Sequence, residues 1–197
     1  MRRAILILAS ASPRRRELLR VLCLDFTVLP SEVDETLAPG PLTEAVARLA
    51  FEKARAVAAR VGAGVVLGAD TVVTIDGDVL GKPAGPDEAR AMLRRLRGRE
   101  HEVITGVAVV DAGSGRAERT AVTSRVRMAD YGEREIEAYV ASGEPLDKAG
   151  AYAIQGAGGV LVAGFEGSYS NVVGLPLEET ARLLAAFGVA VNEPPAR

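Results

Sequence analysis

The chain has 197 residues, of which 48% are hydrophobic, and this composition supplies a packed core and argues against disorder outside the ends. Its formal net charge of -2 excludes a general positive field for nucleic acid or anionic membranes, so any basic site must be local. The single cysteine, Cys23, excludes an intramolecular disulfide, and no apolar run reaches the length of a membrane span. We therefore expect a cytoplasmic protein.

The first signal along the chain is a strand, a polar turn and a helix. The apolar run at 4–9 predicts a buried strand, and Ser12-Pro13 predicts a helix start because serine caps helices and proline fits their first position. Ser10, Ser12 and the arginines at 14–16 gather hydroxyl, guanidinium and backbone N–H groups at the carboxyl end of this strand. The turn favours a phosphate site, with an ordinary arginine-coated helix start as the alternative.

The rest of the chain alternates between strand and helix signals. We predict strands at 26–29, 65–75, 79–83, 103–110, 120–128 and 160–165, and helices from Thr43 to about 62, at 86–96, 133–141 and 176–187. Asp76-Gly77 predicts a two-residue hairpin turn between the second and third of these strands. The mixture of crossovers and hairpins indicates an α/β fold on a mixed sheet, with a single domain over 1–197 and a disordered tail at 192–197.

Asp70 and the lysines are the charged residues that point to chemistry. Asp70 lies within an apolar strand, where an unpaired carboxylate costs several kcal/mol, so it must meet a cation, a donor or solvent. An ion pair with arginine is the structural alternative. Lysine occurs only at Lys53, Lys82 and Lys148 in a chain with 24 basic residues. Because its compact charge suits a phosphate oxygen, Lys53 and Lys82 are candidates for phosphate binding.

Several common site types are excluded by spacing. The segment at 77–83 is one residue short of a Walker A loop, and the segment at 156–161 lacks the last glycine of the dinucleotide fingerprint. One cysteine and one histidine, His101, cannot form a zinc site. We interpret His101, at the start of a strand, as structural.

Eight segments resemble, in order and spacing from Ile5 to about Phe187, the motif series of the Maf family. They are SASPRR (10–15), EVDE (32–35), KA (53–54), GADTVV (68–73), GKP (81–83), TGV (105–107), AGAYAIQG (149–156) and GSYSNVVGLP (167–176). The resemblance implies a fold similar to inosine triphosphatases, namely an elongated mixed β-sheet with flanking helices and two lobes around a cleft.

The family resemblance also implies an activity. Members are nucleoside triphosphate pyrophosphatases, which use a divalent cation, magnesium or manganese, to form a nucleoside monophosphate and pyrophosphate. The substrate-specificity positions Arg14, Thr71 and Gln155 are those of the subgroup acting on dTTP and UTP, whereas a 7-methyl-GTP subgroup has tryptophan, glutamine and glutamate there. A dTTP/UTP pyrophosphatase is therefore implied, with modified pyrimidine nucleotides as further candidates and roles in nucleotide-pool cleaning and cell division arrest.

The residues fit that chemistry. Cleavage of a phosphoanhydride needs neutralised phosphates and an oriented water. We expect Ser10, Ser12 and Arg15 to bind phosphate. Catalysis is expected from Lys53, Lys82, Glu32 and Asp70, with Glu32 and Asp70 holding the metal and accepting the proton of the water.

Two other functions compete with hydrolysis. A non-catalytic nucleotide-binding regulator of septum formation needs phosphate contacts but no base, so the presence of both Glu32 and Asp70 argues against it. RNA binding through the arginines at 14–16 is disfavoured by the net charge and by an aromatic content of 4%. The expected partner is a nucleoside triphosphate, without nucleic acid or membrane, and the family resemblance implies a homodimer.

Overall fold

The computed structural model describes residues 5–23 and 25–194, in which strands and helices alternate. Seven strands lie within these residues: β1 (Leu6–Leu8), β2 (Thr27–Val28), β3 (Val65–Ile75), β4 (Asp78–Leu80), β5 (Glu100–Asp111), β6 (Ala117–Met128) and β7 (Val162–Glu166). The same residues form six α-helices: α1 (Pro13–Leu22), α2 (Leu42–Val61), α3 (Pro86–Leu96), α4 (Glu133–Ala141), α5 (Tyr169–Val173) and α6 (Leu177–Ala186). The predicted mixed α/β class is confirmed.

The seven described strands form a mixed sheet. Its order is β2-β1-β3-β5-β6-β7, and β4 pairs with β3 beside this path. Strand β1 runs parallel to both β2 and β3, so that Leu8 lies opposite Val28 on one side and Leu67 on the other. Strand β4 is antiparallel to β3, and β7 is antiparallel to β6. Parallel pairs need crossover connections while antiparallel pairs accept tight turns, which explains the mixture of signals in the sequence.

The chain divides into two compact units with separate cores. Unit 1 contains the chain up to Asp70, Thr105–Val122 and the chain from Gly174 onward. In this unit Leu6 and Leu8 of β1 pack in a cluster with residues of α1 and α6, whereas Ile7 packs with residues of α2. Strand β1 is therefore covered by helices on both faces, which is why it reads as a continuous apolar run.

Strand β3 follows the same alternation. Val65, Leu67 and Ala69 belong to the cluster with α1 and α6, and Val66 belongs to the cluster with α2. Because side chains of a strand alternate between faces, Gly68 and Asp70 lie on the α2 side with Val66. An acidic side chain is thus directed at a helix from within a buried strand.

Helix α2 lies directly on two glycines of the sheet. A Cβ at Gly68 would be 2.2 Å from the carbonyl oxygen of Ala50, and a Cβ at Gly106 would be 2.4 Å from that of Val46. Real Cβ atoms do not approach backbone so closely, so any side chain at either glycine would push the helix away. Glycine is required here for packing, and the close approach brings the buried face of α2, including Lys53, against β3.

Unit 2 contains Thr71–Ile104 and Thr123–Val173. Its core includes apolar side chains of α3, α4 and the strands around them. The predicted hairpin turn is confirmed, because β3 and β4 pair with Ile75 opposite Asp78, and Asp76 and Gly77 have φ angles of 55° and 84°. Two consecutive positive φ angles are typical of the turn that matches the twist of paired strands.

Some predicted boundaries differ from the structure. Thr43 was predicted to cap α2, which is wrong: the helix begins at Leu42 after Pro41, so that Thr43 lies inside its first turn and no side chain caps it. The strand predicted at 160–165 begins only at Val162, because Gly156–Leu161 forms a 3-10 helix. Two further 3-10 helices, Glu144–Asp147 and Ala149–Ala151, and the short helix α5 were not predicted, since such short elements carry no readable period.

Other expectations about the whole chain have different outcomes. The division into two compact units agrees with the two expected lobes, whereas the cleft and the single domain over 1–197 stay predictions. The predicted tail at 192–197 lies partly outside the described residues, and its disorder stays a prediction. Among the described helices, none has the length and apolar character needed to span a membrane.

Because His101 is buried, we predict that the free energy of unfolding depends on pH. This histidine of unit 2 is 3% exposed, its Nε2 lies 2.7 Å from Oη of Tyr152, and burial lowers its pKa from 6.5 to about 4. Between these two values the unfolded state binds a proton that the folded state does not. The free energy of unfolding should therefore decrease by up to about 3 kcal/mol as the pH falls from about 6.5 to about 4.

Urea unfolding across this pH range measures the decrease. The variant His101→Gln serves as the control, because it removes the only histidine while other titrating groups remain. Its unfolding free energy should fall less over the same range. An equal fall in both proteins would contradict the assignment to His101.

Gly68 predicts a packing requirement. The variant Gly68→Ala should lower the free energy of unfolding by about 3 kcal/mol, because its Cβ would overlap the backbone of α2. The matched control is Gly85→Ala, where a Cβ meets nothing within 4 Å and the effect should stay below about 1 kcal/mol. Urea unfolding of both variants measures the difference, and similar losses would show that Gly68 is not a packing constraint.

Candidate active site

The turn between β1 and α1 folds as its sequence predicts. Pro13 is the first residue of α1, and the Oγ of Ser12 accepts the backbone N–H of Arg15 at 3.4 Å. Ser10 is buried, and its Oγ accepts the backbone N–H of Ser12 at 3.3 Å. The predicted helix cap is therefore confirmed, and both serine hydroxyls stabilise the turn.

The guanidinium of Arg15 is held over this turn. Its Nη1 donates to Oγ of Ser10 at 3.3 Å, and its Nε donates to the carbonyl oxygen of Gly174 at 2.9 Å. Both contacts lie within unit 1. Hydrogen bonds at both Nε and Nη1 therefore hold the guanidinium of Arg15 near the end of β1.

Lys53 of α2 joins two carboxylates. Its Nζ lies 2.6 Å from Oδ1 of Asp70 and 2.6 Å from Oε1 of Glu35. The side chains of Lys53 and Asp70 are only 6% and 12% exposed, whereas that of Glu35 is 58% exposed. A lysine, and not the arginine considered from sequence, satisfies the buried Asp70. Either charge alone in this core would be costly, so the two depend on each other.

Arg15, Lys53, Glu35 and Asp70 of unit 1 form one cluster of charges. Burial lowers the pKa of Arg15, while the negative charges of Asp70 and Glu35 act in the opposite direction. Two basic side chains, Arg15 and Lys53, are thus balanced by two acidic ones, with Ser10 beside them. We call these five residues, Ser10, Arg15, Glu35, Lys53 and Asp70, the charge cluster.

Glu35 is the member of the charge cluster that sequence reasoning missed. The segment at 31–35 contains three carboxylates, and we expected Glu32 to act. In the part of the chain that the structure describes, the exposed Glu32 side chain forms no hydrogen bond or ion pair, and its expected catalytic and metal-binding role stays a prediction. Asp34 accepts the backbone N–H of Thr36 at 3.0 Å and its hydroxyl at 2.8 Å, which lowers the pKa of Asp34 and fixes the loop around Glu35.

Nothing in the local pattern could have distinguished these carboxylates. They lie in a loop without a period, and the contact of Glu35 with Lys53 joins residues 18 positions apart. The only available signal was the expectation that a buried lysine needs a counter-charge near it. That expectation does not identify which of the three carboxylates provides the counter-charge.

The other predicted site residues lie on α1, on β3 and in unit 2. Arg14 lies half-buried on α1, and Thr71 directly follows Asp70 in β3. Lys82 and Gln155 are exposed in unit 2. The backbone N–H of Gly150 donates to the carbonyl oxygen of Gly81 at 3.0 Å, which joins the segment of Lys82 to the turn that precedes Gln155. That these residues share a site with the charge cluster stays a prediction.

The donor set of the charge cluster fits a hard divalent cation. Magnesium prefers oxygen ligands and is usually bound by one or two carboxylates together with water and substrate phosphates. Glu35 and Asp70 provide two carboxylates, each in contact with Nζ of Lys53. Within the described ranges no three His, Cys, Asp or Glu residues form a metal-binding group. The residues therefore fit a cation bound jointly by protein and phosphate oxygens.

Fold and site together define a mixed α/β protein with an internal charge cluster at the end of a parallel strand. The profile of the Maf family, described as Maf-like protein, matches residues 5–187. The chain belongs to the Maf family.

Named relatives are similar over nearly their whole length. A protein of Moorella thermoacetica named dTTP/UTP pyrophosphatase is 58% identical over 194 residues, which cover 94% of this chain and 96% of that protein. A protein of Myxococcus xanthus with the same name is 56% identical over 187 residues, covering 94% and 93% of the two chains. One from Pelotomaculum thermopropionicum, named likewise, is 51% identical over 188 residues, covering 94% and 98%.

Among solved structures, the Staphylococcus aureus Ham1 protein matches with 18% identity and a TM-score of 0.48. The match covers 65% of this chain and 74% of that protein. A similarity at this level carries no argument about either fold or function.

Proposed function

We propose that this protein is a nucleoside triphosphate pyrophosphatase that hydrolyses dTTP and UTP between the α and β phosphates. The products are the nucleoside monophosphate and pyrophosphate. The observation that carries the proposal is the buried Lys53 between Asp70 and Glu35, in a chain 58% identical to a protein named dTTP/UTP pyrophosphatase. Buried and paired charges are costly to desolvate and cluster at functional sites, where a charged substrate can meet them.

Phosphate binding is the proposed role of the turn after β1. Arg15 is held with its guanidinium over Ser10, and Ser12 lies at the first turn of α1. A guanidinium and the positive end of a helix together attract a phosphate. Lys82, whose compact charge suits a single phosphate oxygen, is proposed to add a further positive charge.

Water activation is the proposed role of Asp70. Among the described residues Lys53 is its hydrogen-bond partner, through Oδ1, and this contact orients the carboxylate. Its Oδ2 would then accept the proton of the attacking water. Glu35 and Asp70 would hold a magnesium or manganese ion, which would neutralise phosphate charge and lower the pKa of water.

Recognition of the base is the proposed role of Gln155, with Arg14 and Thr71. The amide of Gln155 has one acceptor and two donors, which can meet the N3–H and a carbonyl of uracil or thymine. Cytosine and the purines present a different edge, so a wrong base would cover the amide of Gln155 without offering it matching hydrogen-bond partners. This supports a preference for dTTP and UTP, and it extends to modified pyrimidine nucleotides that keep the same edge.

The remaining parts of the proposal concern the setting of the enzyme. We infer a cytoplasmic enzyme of nucleotide-pool cleaning that acts as a homodimer on a nucleoside triphosphate, with no nucleic acid or membrane as partner. A link to cell division arrest would follow from this activity. A non-catalytic regulator of septum formation is disfavoured, because Lys53 orients two carboxylates that nucleotide binding alone does not need.

The test of function is turnover of each triphosphate by the purified chain with magnesium, followed by chromatography of the products. We expect dTTP and UTP to be cleaved well ahead of ATP, GTP and CTP. The variant Asp70→Asn should remain folded and lose about 10²- to 10⁴-fold in turnover, because an amide cannot accept the proton at neutral pH. Binding of dTTP without turnover would favour the regulator, and near-normal turnover by Asp70→Asn would remove Asp70 from the mechanism.

The two acidic loop residues provide a matched pair. Glu35→Gln should reduce kcat for dTTP by at least about 10²-fold, because it removes a carboxylate from Lys53 and from the proposed cation. Glu32→Gln changes the same charge in the same loop and should leave kcat within about twofold, since its side chain is exposed. A larger loss of kcat in Glu32→Gln than in Glu35→Gln would assign the catalytic and metal-binding role to Glu32.

A further inference from the structure

The turn that carries Gln155 is attached to the carboxylate of Glu144. Oε2 of Glu144 accepts the backbone N–H of Ala157 at 3.2 Å, and Oε1 accepts that of Gly158 at 3.3 Å. The hydroxyl of Tyr139 donates to the same Oε1 at 3.1 Å. A charged acceptor on two consecutive N–H groups fixes the first turn of the 3-10 helix Gly156–Leu161 immediately after Gln155.

Glu144 is itself held at its backbone. Its N–H donates to Oγ of Ser142 at 3.2 Å, and its carbonyl oxygen accepts a hydrogen bond from Nζ of Lys148. Lys148 is buried and also pairs with Asp147 at 2.8 Å. Lys148, one of the three lysines of the chain, therefore has a structural use that the proposed reaction does not explain.

The glycines of the turn fit closely around these groups. A Cβ at Gly156, where φ is +69°, would lie 3.1 Å from Oε1 of Glu144. A Cβ at Gly158 would lie 2.6 Å from Oη of Tyr139. The backbone thus approaches the side chains of Glu144 and Tyr139 more closely than a Cβ at either position would permit, so both glycines are needed for this fit.

We propose that Glu144 is a positioning residue that fixes Gln155 for recognition of the base. This inference rests on the proposed pyrimidine preference. Gln155 has extended backbone angles, φ -110° and ψ 165°, and its side chain does not cap the 3-10 helix that follows. The position of its Cα and the direction of its Cα–Cβ bond are set by the backbone of the turn, which Glu144 holds. Glu144 acts through Gln155 and does not touch the substrate.

The variant Glu144→Gln tests the proposal. The introduced amide has one oxygen acceptor, so it cannot accept both N–H groups, and its NH₂ would face one of them. We expect the ratio of kcat/KM for dTTP to that for GTP to fall about 10-fold, as loss of one such hydrogen bond implies. The matched control Glu135→Gln removes a carboxylate that accepts the N–H of Gly132 at another helix start, and the ratio should not change.

A double-mutant cycle separates positioning from general destabilisation. If Glu144 acts through Gln155, then Glu144→Gln should not reduce the dTTP to GTP ratio further in the Gln155→Glu background. Independent losses that add in the double variant would overturn the proposal. So would an unchanged ratio in Glu144→Gln when Gln155→Glu alone lowers it.

The proposed function fails in a different way. A wild-type protein that prefers a purine triphosphate, or a ratio unchanged by Gln155→Glu, would remove the pyrimidine site itself. Amide hydrogen exchange at Ala157 and Gly158 tests the contacts of Glu144 independently of enzyme turnover. Protection of both amides from exchange should fall in Glu144→Gln. Retained protection of these two amides would show that Glu144 does not hold the turn.

A second variant covers the case in which Glu144→Gln does not fold. Tyr139→Phe removes the hydroxyl that donates to Oε1 of Glu144 and keeps the buried ring. The dTTP to GTP ratio should fall in the same direction, by about twofold to fivefold, because a weaker bond is lost. An unchanged ratio in a folded Tyr139→Phe protein, with unchanged exchange at Gly158, would contradict the proposal.

Discussion

The close approach of helix α2 to strand β3 is the constraint on which the charge cluster depends. It exists because Gly68 has no side chain to keep the carbonyl of Ala50 away. Two residues further along the same face of β3 lies Asp70, and one turn along the helix lies Lys53. Lys53 and Asp70 are in contact because glycine sets the distance between the two elements that carry them. The chemistry of the site is in this sense a consequence of backbone packing.

The pairing of Lys53 serves two physical needs together. A lysine and a carboxylate in a core each require a partner, and their mutual contact meets both needs. The second carboxylate, Glu35, is more than half exposed, so its contact with Lys53 is more strongly screened by solvent. The buried contact therefore fixes the geometry, whereas the exposed carboxylate is less constrained.

Sequence reasoning succeeded where regular structure decides the outcome. The cap at Ser12, the hairpin at Asp76-Gly77 and the long strand β3 follow from local steric and hydrogen-bonding rules, and the structure confirms each. Asp70 was identifiable because a charge in an apolar strand needs an explanation. That its partner is Lys53 follows from the fold, since period and propensity do not state which faces of α2 and β3 meet.

Sequence reasoning failed where irregular backbone decides the outcome, and the two failures have a common cause. Glu35 and Glu144 both lie in segments without a period, and each acts through a contact to a segment at least 13 residues away. Their places also bear on the proposed base preference. The charge cluster is built mainly on α1, α2 and β3, whereas Gln155 lies next to a turn that Glu144 contacts. If Gln155 reads the base as proposed, base preference could change through this turn while the charged groups keep their positions.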